Sequence, residues 1–399
     1  MQVELAYGET GLVIDVPDHA EVVLPHDPPA LAKEEAAIRT AVRPWLRGLK
    51  PPVAVVFPDL TRPFPHQTVL PPLLSELARV DLRRDAVRLI CATGTHRQAT
   101  DAEMRALLGD EIVDRYPIHD HVAADLDAHT SVGEVDGVPI LIDKAYLDCP
   151  TRIVTGFVEP HFFAGFSGGP KAVCPGLAAL PTVLEAHSPA RIASPDATWL
   201  VTRGNPVHDF VRAATVLAPP TLSVDVTIDA AAALTGVWAS PLPYGHRSAC
   251  AFVEQTAVTR LGQRADVVVT TNAGHPLDRN LYQAVKGLAA AERAVADGGT
   301  IIAAAACKDG VPSGSAFAEL LAAPDFVDLD SAPDQWQLQV LGRVLRRATV
   351  QLHSDGLSDD EIRAAHLHPI EDVSRAIRDL NPDRVCVLPR GPMTVVSAG

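Results

Sequence analysis

The stretch Pro160-His-Phe-Phe-Ala-Gly-Phe-Ser-Gly-Gly-Pro-Lys-Ala-Val-Cys-Pro-Gly176 gathers residue types that do chemistry. Ser167, Gly168 and Gly169 can bring backbone N–H groups close to an anion, since glycine tolerates the backbone angles such a turn needs. Lys171 puts an amine at the edge of that loop, with His161 and His187 on either side in sequence. It is not a nucleotide-hydrolase loop: Pro170 separates Gly169 from Lys171, and Ala172 stands where a magnesium-binding hydroxyl belongs. No Gly-x-Gly-x-x-Gly follows a predicted strand and no His-Glu-x-x-His occurs, which argues against dissociable NAD and a helical zinc-protease site.

Other polar groups come directly after apolar runs. Asp59, Thr61 and Arg62 follow Val53–Phe57; Thr95, His96 and Arg97 follow Val87–Ala92; His161 follows Arg152–Val158; Asn272 and His275 follow Asp266–Thr270. With Thr300–Ala305 and Arg384–Leu388, these Val- and Ile-rich runs alternate with helical stretches, the pattern of buried parallel strands. The fold class is therefore α/β. In such sheets ligands bind beyond the carboxyl ends of the strands, so these loops are expected to converge. Each alone has a plainer reading. His96 could be a structural hydrogen-bonder, Lys171 a solvated lysine, and His187 a surface residue. Tyr282 and Lys286, four apart on one helix face, could be a packed ring beside an exposed charge.

The positioning elements carry their own signals. Asn205-Pro206 predicts a capped helix start, and Ser358-Asp-Asp-Glu361 a capping box. Asp278 or Asn280 is expected to cap a helix running through Val295 to Gly298-Gly299. Val3–Ala6, Gly11–Val16 and Glu21–Leu24 read as short antiparallel strands. Two domains are expected, 1–260 with the loop and both His96 and His161, and 261–399 with further substrate-binding residues.

Composition narrows the partners. The 399 residues carry 34 basic and 49 acidic side chains, a net charge of −15, so a phosphate backbone would oppose the field and nucleic acid is not expected. No apolar run is long enough for a membrane span, and Met1-Gln2-Val3-Glu4 lacks the start of a signal peptide. A cytoplasmic protein is expected. The six cysteines form no Cys-x-x-Cys pair and read as small buried residues, Cys174 included. His119, His121, His353, His366 and His368 read as surface residues, although His119-x-His121 could take a stray metal.

Five motifs combine these residues: Asp59-Leu-Thr-Arg-Pro63, Thr93-Gly-Thr-His-Arg97, His161 to Lys171, His187, and Asp278-Arg-Asn-Leu-Tyr-Gln-Ala-Val-Lys-Gly287. In order and spacing they resemble the lactate racemase family, from Asp59 to about Gly287. The resemblance implies two Rossmann-like α/β domains with mostly parallel sheets and an active site in the cleft between them. It implies racemisation or epimerisation of a small anionic 2-hydroxy acid by reversible hydride transfer to a nickel-pincer nucleotide (the pyridinium-3,5-bisthiocarboxylic acid mononucleotide nickel adduct). Lys171 would tether that group and His187 would ligate the nickel. Ser167, Gly168 and Gly169 would surround its phosphate. His96 and His161 would be the acid/base pair, which suits a reaction whose hydroxyl points opposite ways in the two enantiomers. Arg62 and Lys286 would hold the substrate carboxylate, with Asp59, Tyr282 and Gln283 lining the site. Cofactor-biosynthesis enzymes would be needed for maturation.

The chain departs from the family where Asn272-Ala273-Gly274-His275 replaces a Gly-rich turn, so Asn272 and His275 are expected to adjust the pocket, and the choice of 2-hydroxy acid stays open. Two rivals stand beside this reading: a hydrolase or lyase using the histidine pair without nickel, and a non-catalytic sugar-acid or nucleotide-binding protein.

Overall fold

The computed structural model describes residues 1–26, 28–80, 82–312, 316–323, 326 and 329–398. The chain divides into two compact units, one made of Asp27–His187 and Ser194–Thr256, the other of Met1–His26, Ser188–Ala193 and Ala257–Gly399. Both are α/β, as expected. The first 26 residues belong to the second unit, not to the 1–260 domain in which the sequence placed them.

The first unit is built on a six-stranded sheet. Its order is Leu234–Ser240, Leu222–Ile228, Thr151–Phe157, Val53–Pro58, Val87–Ala92, Ile118–Asp120. All neighbours are parallel except the Leu222–Ile228 and Leu234–Ser240 hairpin. The central strand shows why its sequence is uninterruptedly apolar. Val53, Val55 and Phe57 enter one core while Ala54 and Val56 enter the other, so both faces are covered. From Val53–Pro58 the chain grows outward through Val87–Ala92 and Ile118–Asp120, then returns to place Thr151–Phe157 on the opposite side. The order thus reverses between Val53–Pro58 and Thr151–Phe157, the place where doubly wound sheets bind ligands.

The second unit carries an all-parallel sheet in the order His368–Pro369, Thr349–His353, Val295–Ala304, Ala265–Thr271, Val385–Leu388, Glu21–Val22. Gln2–Leu5 and Leu12–Asp15 form the expected antiparallel pair, but Glu21–Val22 joins the parallel sheet instead. The helix after the fourth loop spans Leu281–Glu292, shorter than expected, and Val295 already begins a strand. Gly298, at φ +77°, belongs to that strand's irregular stretch, where the register shifts, and does not end the helix. Asn280 is the cap, accepting from the Gln283 N–H at 3.0 Å. Asp278 instead accepts from the Gly8 and Ala306 N–H groups at 2.8 and 3.1 Å. Asn205 caps Pro206–Leu217, and Ser358 and Glu361 form the expected box. No helix among the described residues is long and apolar enough to cross a membrane.

Gly287 sets how closely the Leu281–Glu292 helix lies against the sheet, since a Cβ there would stand 2.1 Å from the Thr271 carbonyl oxygen. Gly287→Ala is expected to destabilise the protein by about 1–3 kcal/mol through overpacking. Thermal melting should show a transition several degrees lower.

Candidate functional site

The loop after Val53–Pro58 and the loop after Val87–Ala92 meet through an acid–imidazole pair. Asp59 is buried, and its Oδ2 accepts from His96 Nδ1 at 2.8 Å, while Oδ1 accepts from the Thr61 hydroxyl at 2.8 Å. Burial works to raise the Asp59 carboxyl, but the His96 bond, the Arg62 charge and Thr61 hold it below its ordinary range. It is therefore a carboxylate, which can only accept. That places a proton on His96 Nδ1 and leaves Nε2 to exchange one with a ligand. The His96 ring is exposed and so can be reached.

The third loop brings together residues that are far apart in type and sequence. Pro160–His161 pairs antiparallel with Gly165–Phe166, turning Phe162 and Phe163 inward. Gly165 cannot be replaced: at φ +77° its Cβ would lie 2.1 Å from the Val201 carbonyl oxygen. Asn205 donates to the Phe163 carbonyl at 2.9 Å and so ties this hairpin to the start of the Pro206–Leu217 helix. The Phe163 ring lies 4.5 Å from the His161 ring, 5.4 Å from the His187 ring, and 5.8 Å from Lys171 Nζ. Three of the sequence candidates thus surround one aromatic ring. The Ala164 N–H donates to His161 Nδ1 at 3.3 Å, which turns Nε2 away from its own backbone.

His187 closes the Leu180–Ala186 helix and is buried. Its Nδ1 pairs with the Val183 carbonyl at 2.8 Å, so the ring proton sits there and the lone pair is on Nε2. Burial, helped by the Lys171 charge, pushes the ring down to about 4, which keeps it neutral at pH 7.

The glycines do something other than the sequence suggested. Gly169 donates its N–H to Asp225 Oδ1 at 2.7 Å, and the Ser167 hydroxyl donates to the Phe157 carbonyl at 2.7 Å. Both groups are thus engaged inside the protein. A Cβ on Gly168 would stand 2.9 Å from Asp225, and one on Gly169 2.5 Å from the His246 ring. These glycines let the loop lie flat on two buried polar side chains. Asp225, fully buried on the neighbouring strand, also accepts from Ser223 at 2.6 Å; burial pushes its carboxyl up. His246 donates from Nε2 to the Ser167 carbonyl at 2.8 Å, and His208 stacks on it at 6.5 Å. None of Asp225, His246 and His208 was singled out from sequence. The signal available was the acidic Asp225 inside a strand, Leu222–Ile228, whose other residues are all uncharged. Cys174 is buried, as expected, and burial pushes its thiol up to about 12.

In the second unit, Tyr282, Gln283 and Lys286 lie on the first turns of the Leu281–Glu292 helix, all partly buried. Tyr282 packs edge-on to Phe317 at 5.4 Å, and its carbonyl accepts from Gln337 at 2.5 Å. Asn272 is buried and closes its own loop by donating to the Leu277 carbonyl, whereas His275 is exposed.

Comparison with known proteins identifies the family. The family model for the lactate racemase N-terminal domain matches residues 7–199, and that for the C-terminal domain matches 261–396. The chain belongs to the lactate racemase family. It is 30% identical to lactate racemase of Thermoanaerobacterium thermosaccharolyticum, covering 99% of both chains. It is 34% identical to that of Lactiplantibacillus plantarum, covering 86% of this chain and 84% of the relative. The structure of the T. thermosaccharolyticum lactate racemase apoprotein matches with a TM-score of 0.91 at 29% identity, over 99% of this chain and 100% of that one. A Thermotoga maritima protein shares the fold at a TM-score of 0.73 and 19% identity, over 94% and 100% of the two chains.

The residues present fit the group the family resemblance implies. A neutral imidazole with its lone pair on Nε2 is the form that binds a borderline metal, and Lys171 approaches the same aromatic ring as that imidazole.

The buried histidine beneath the loop predicts a pH dependence. Burial, then the His246 charge, pushes His208 from 6.5 to about 4. Below pH ~6.5 the unfolded chain binds the proton that the folded one refuses, so stability is fully present above that pH. It is lost as pH falls toward 4, by on the order of 3 kcal/mol. Buried His187, pushed down to about 4 as well, adds a slope of the same sign. Urea unfolding between pH 7 and pH 4.5 should show the combined slope, and His208→Gln should make it shallower.

Proposed function

We propose that this protein racemises a small 2-hydroxy acid, with lactate the first substrate to assay, using a nickel-pincer nucleotide tethered to Lys171. The single observation that carries the reading is the grouping of Lys171, His161 and His187 around the Phe163 ring. In this reading Lys171 would hold the group covalently and His187 Nε2 would ligate its nickel. When bound, the group would supply the hydride acceptor and donor that inversion at the substrate C2 requires.

The chain's own residues then handle orientation and the proton. Arg62, exposed beside Asp59, holds the substrate carboxylate by charge and by its planar donor set. His96 takes the hydroxyl proton on Nε2, and Asp59 stabilises the imidazolium so formed, as a carboxylate does for a catalytic histidine in an acyl-transfer triad. His161 Nε2 serves the opposite enantiomer. The phenyl rings of Phe162 and Phe163 exclude water beside His161, which strengthens each charge interaction there. The family motif extends the reading to Lys286 as a second carboxylate ligand and to Gln283 and Tyr282 as lining residues. Ser167, Gly168 and Gly169 act by shaping the Lys171 loop. Maturation by cofactor-making enzymes in the cytoplasm completes the reading, and the six buried, unpaired cysteines suit that reducing setting.

Protein co-produced with the cofactor-making enzymes should carry an adduct by intact mass that Lys171→Ala lacks. An unmodified wild-type mass, with activity present, would overturn the tethering. Asp59→Asn should lower kcat by about 10²–10⁴-fold, because an amide neither fixes the Nδ1 proton nor stabilises the imidazolium. A chiral lactate assay reads this out, with adduct mass as the control for loading.

A further inference from the structure

A second cluster of ligating side chains lies in the first unit, outside the residues used above. His119 and His121 sit on and just after the edge strand Ile118–Asp120, and His129 and Asp143 begin and end the hairpin His129–Val135 with Val138–Asp143. The sequence placed His119 and His121 at the surface; His121 is instead fully buried, and His129 is only 5% exposed.

The hydrogen bonds there do not close on themselves. Asp143 Oδ2 faces His119 Nε2 at 2.8 Å and His121 Nδ1 at 3.0 Å, and Oδ1 accepts from the Ala145 N–H at 2.7 Å. The other nitrogen of His121, Nε2, faces the Ala178 carbonyl at 3.2 Å. Both ring nitrogens of His121 therefore face groups that only accept. His129 Nδ1 donates to the Asp125 carbonyl at 2.7 Å, which leaves a lone pair on Nε2. That nitrogen is buried and has no hydrogen-bond partner. A buried lone pair without a donor costs free energy comparable to a lost hydrogen bond. One ligand atom from each of His121, His129 and Asp143 lies within 4.8 Å of the others.

We infer that His121 Nδ1, His129 Nε2 and Asp143 Oδ2 bind one divalent transition-metal ion, zinc by its ligand set. The ion takes the place of the second proton on His121, caps the orphaned nitrogen of His129, and balances the Asp143 charge. Each ligating histidine then donates its remaining N–H to a backbone carbonyl, Ala178 or Asp125, the outer arrangement that fixes the tautomer of metal-binding imidazoles. His119 donates to Asp143 and orients it. Zinc with nitrogen and oxygen ligands at about 2.0–2.2 Å needs only inward closure of side chains already this near, with water in the fourth position.

The site also reaches the catalytic region through the backbone. Asp143 N–H donates to the Leu177 carbonyl at 3.0 Å, Leu180 N–H donates to Ala123 at 2.8 Å, and Ala178 carries the carbonyl His121 faces. Residues 177–180 join the Lys171 loop to the helix that ends at His187. The ion is thus a brace for that segment, and its loss should loosen the cofactor-free protein.

The test uses full-length protein produced without cofactor, stripped with a chelator, reloaded with Zn²⁺ and desalted. Metal analysis should find about one zinc per chain, a thermal transition raised by several degrees, and X-ray absorption showing two imidazole ligands. His129→Gln and Asp143→Asn should lose the zinc, while His187→Gln should keep it. No retained zinc, zinc lost in His187→Gln but kept in His129→Gln, or an absorption spectrum without imidazole scattering would each overturn the inference. The spectrum of the wild-type protein decides the matter even where a variant fails to fold.

Discussion

Two adjacent parallel strands, Val53–Pro58 and Thr151–Phe157, send their chains away in opposite directions across the sheet. Both are buried on both faces, so neither can shift without disturbing two cores. Their following loops must therefore part, and the space between them cannot be filled by a crossover helix from either side. Asp59 to Arg62 borders that space on one side and the 158–171 loop on the other. The Thr93–Arg97 loop is drawn toward it by a bond from Gly94 N–H to the Gly176 carbonyl at 3.0 Å. His96 meets Asp59, and Lys171 meets Phe163, because the strand order leaves their loops there.

That geometry is held by buried polar groups whose cost the hydrophobic core offsets. Asp225 has no solvent and lies under Gly168 and Gly169, so the loop keeps its shape through a carboxyl group that water cannot reach. The edge strand does a similar job farther out. Asp120 accepts from the Thr93 hydroxyl at 2.6 Å and from the Ala99 N–H at 3.0 Å, fixing both ends of the loop that carries His96. The next residue, His121, turns the other way into the histidine–aspartate cluster beside residues 177–180. Three consecutive positions, His119 to His121, thereby support both the loop that carries His96 and the segment leading to His187.

Much of this was legible before the fold was known. The central strands read correctly because burial on both faces demands unbroken apolar runs, and the Asn205 and Ser358 caps because capping is local. The choice between Asp278 and Asn280 was settled only by the distant Gly8 and Ala306 N–H groups that engage Asp278. The motif residues were legible as a set, since no structural need asks for Lys171, His161 and His187 together. The second role of the glycines was not. Without Asp225, which lies 56 residues away in the chain from Gly169, a Gly-Gly pair looks like an anion loop.

Residue order by itself determined the strands, the helix starts, the loop positions of the chemical groups and the family, because these depend on nearest neighbours and on spacing along one chain. Only the tertiary structure decided which glycine N–H was already engaged, that His121 is buried, that His129 holds an unpaired lone pair, and that the first 26 residues complete the second unit. Those outcomes are set by contacts between segments tens to hundreds of residues apart. A hydrogen bond or a burial is a property of both partners, and the sequence around one of them does not contain the other.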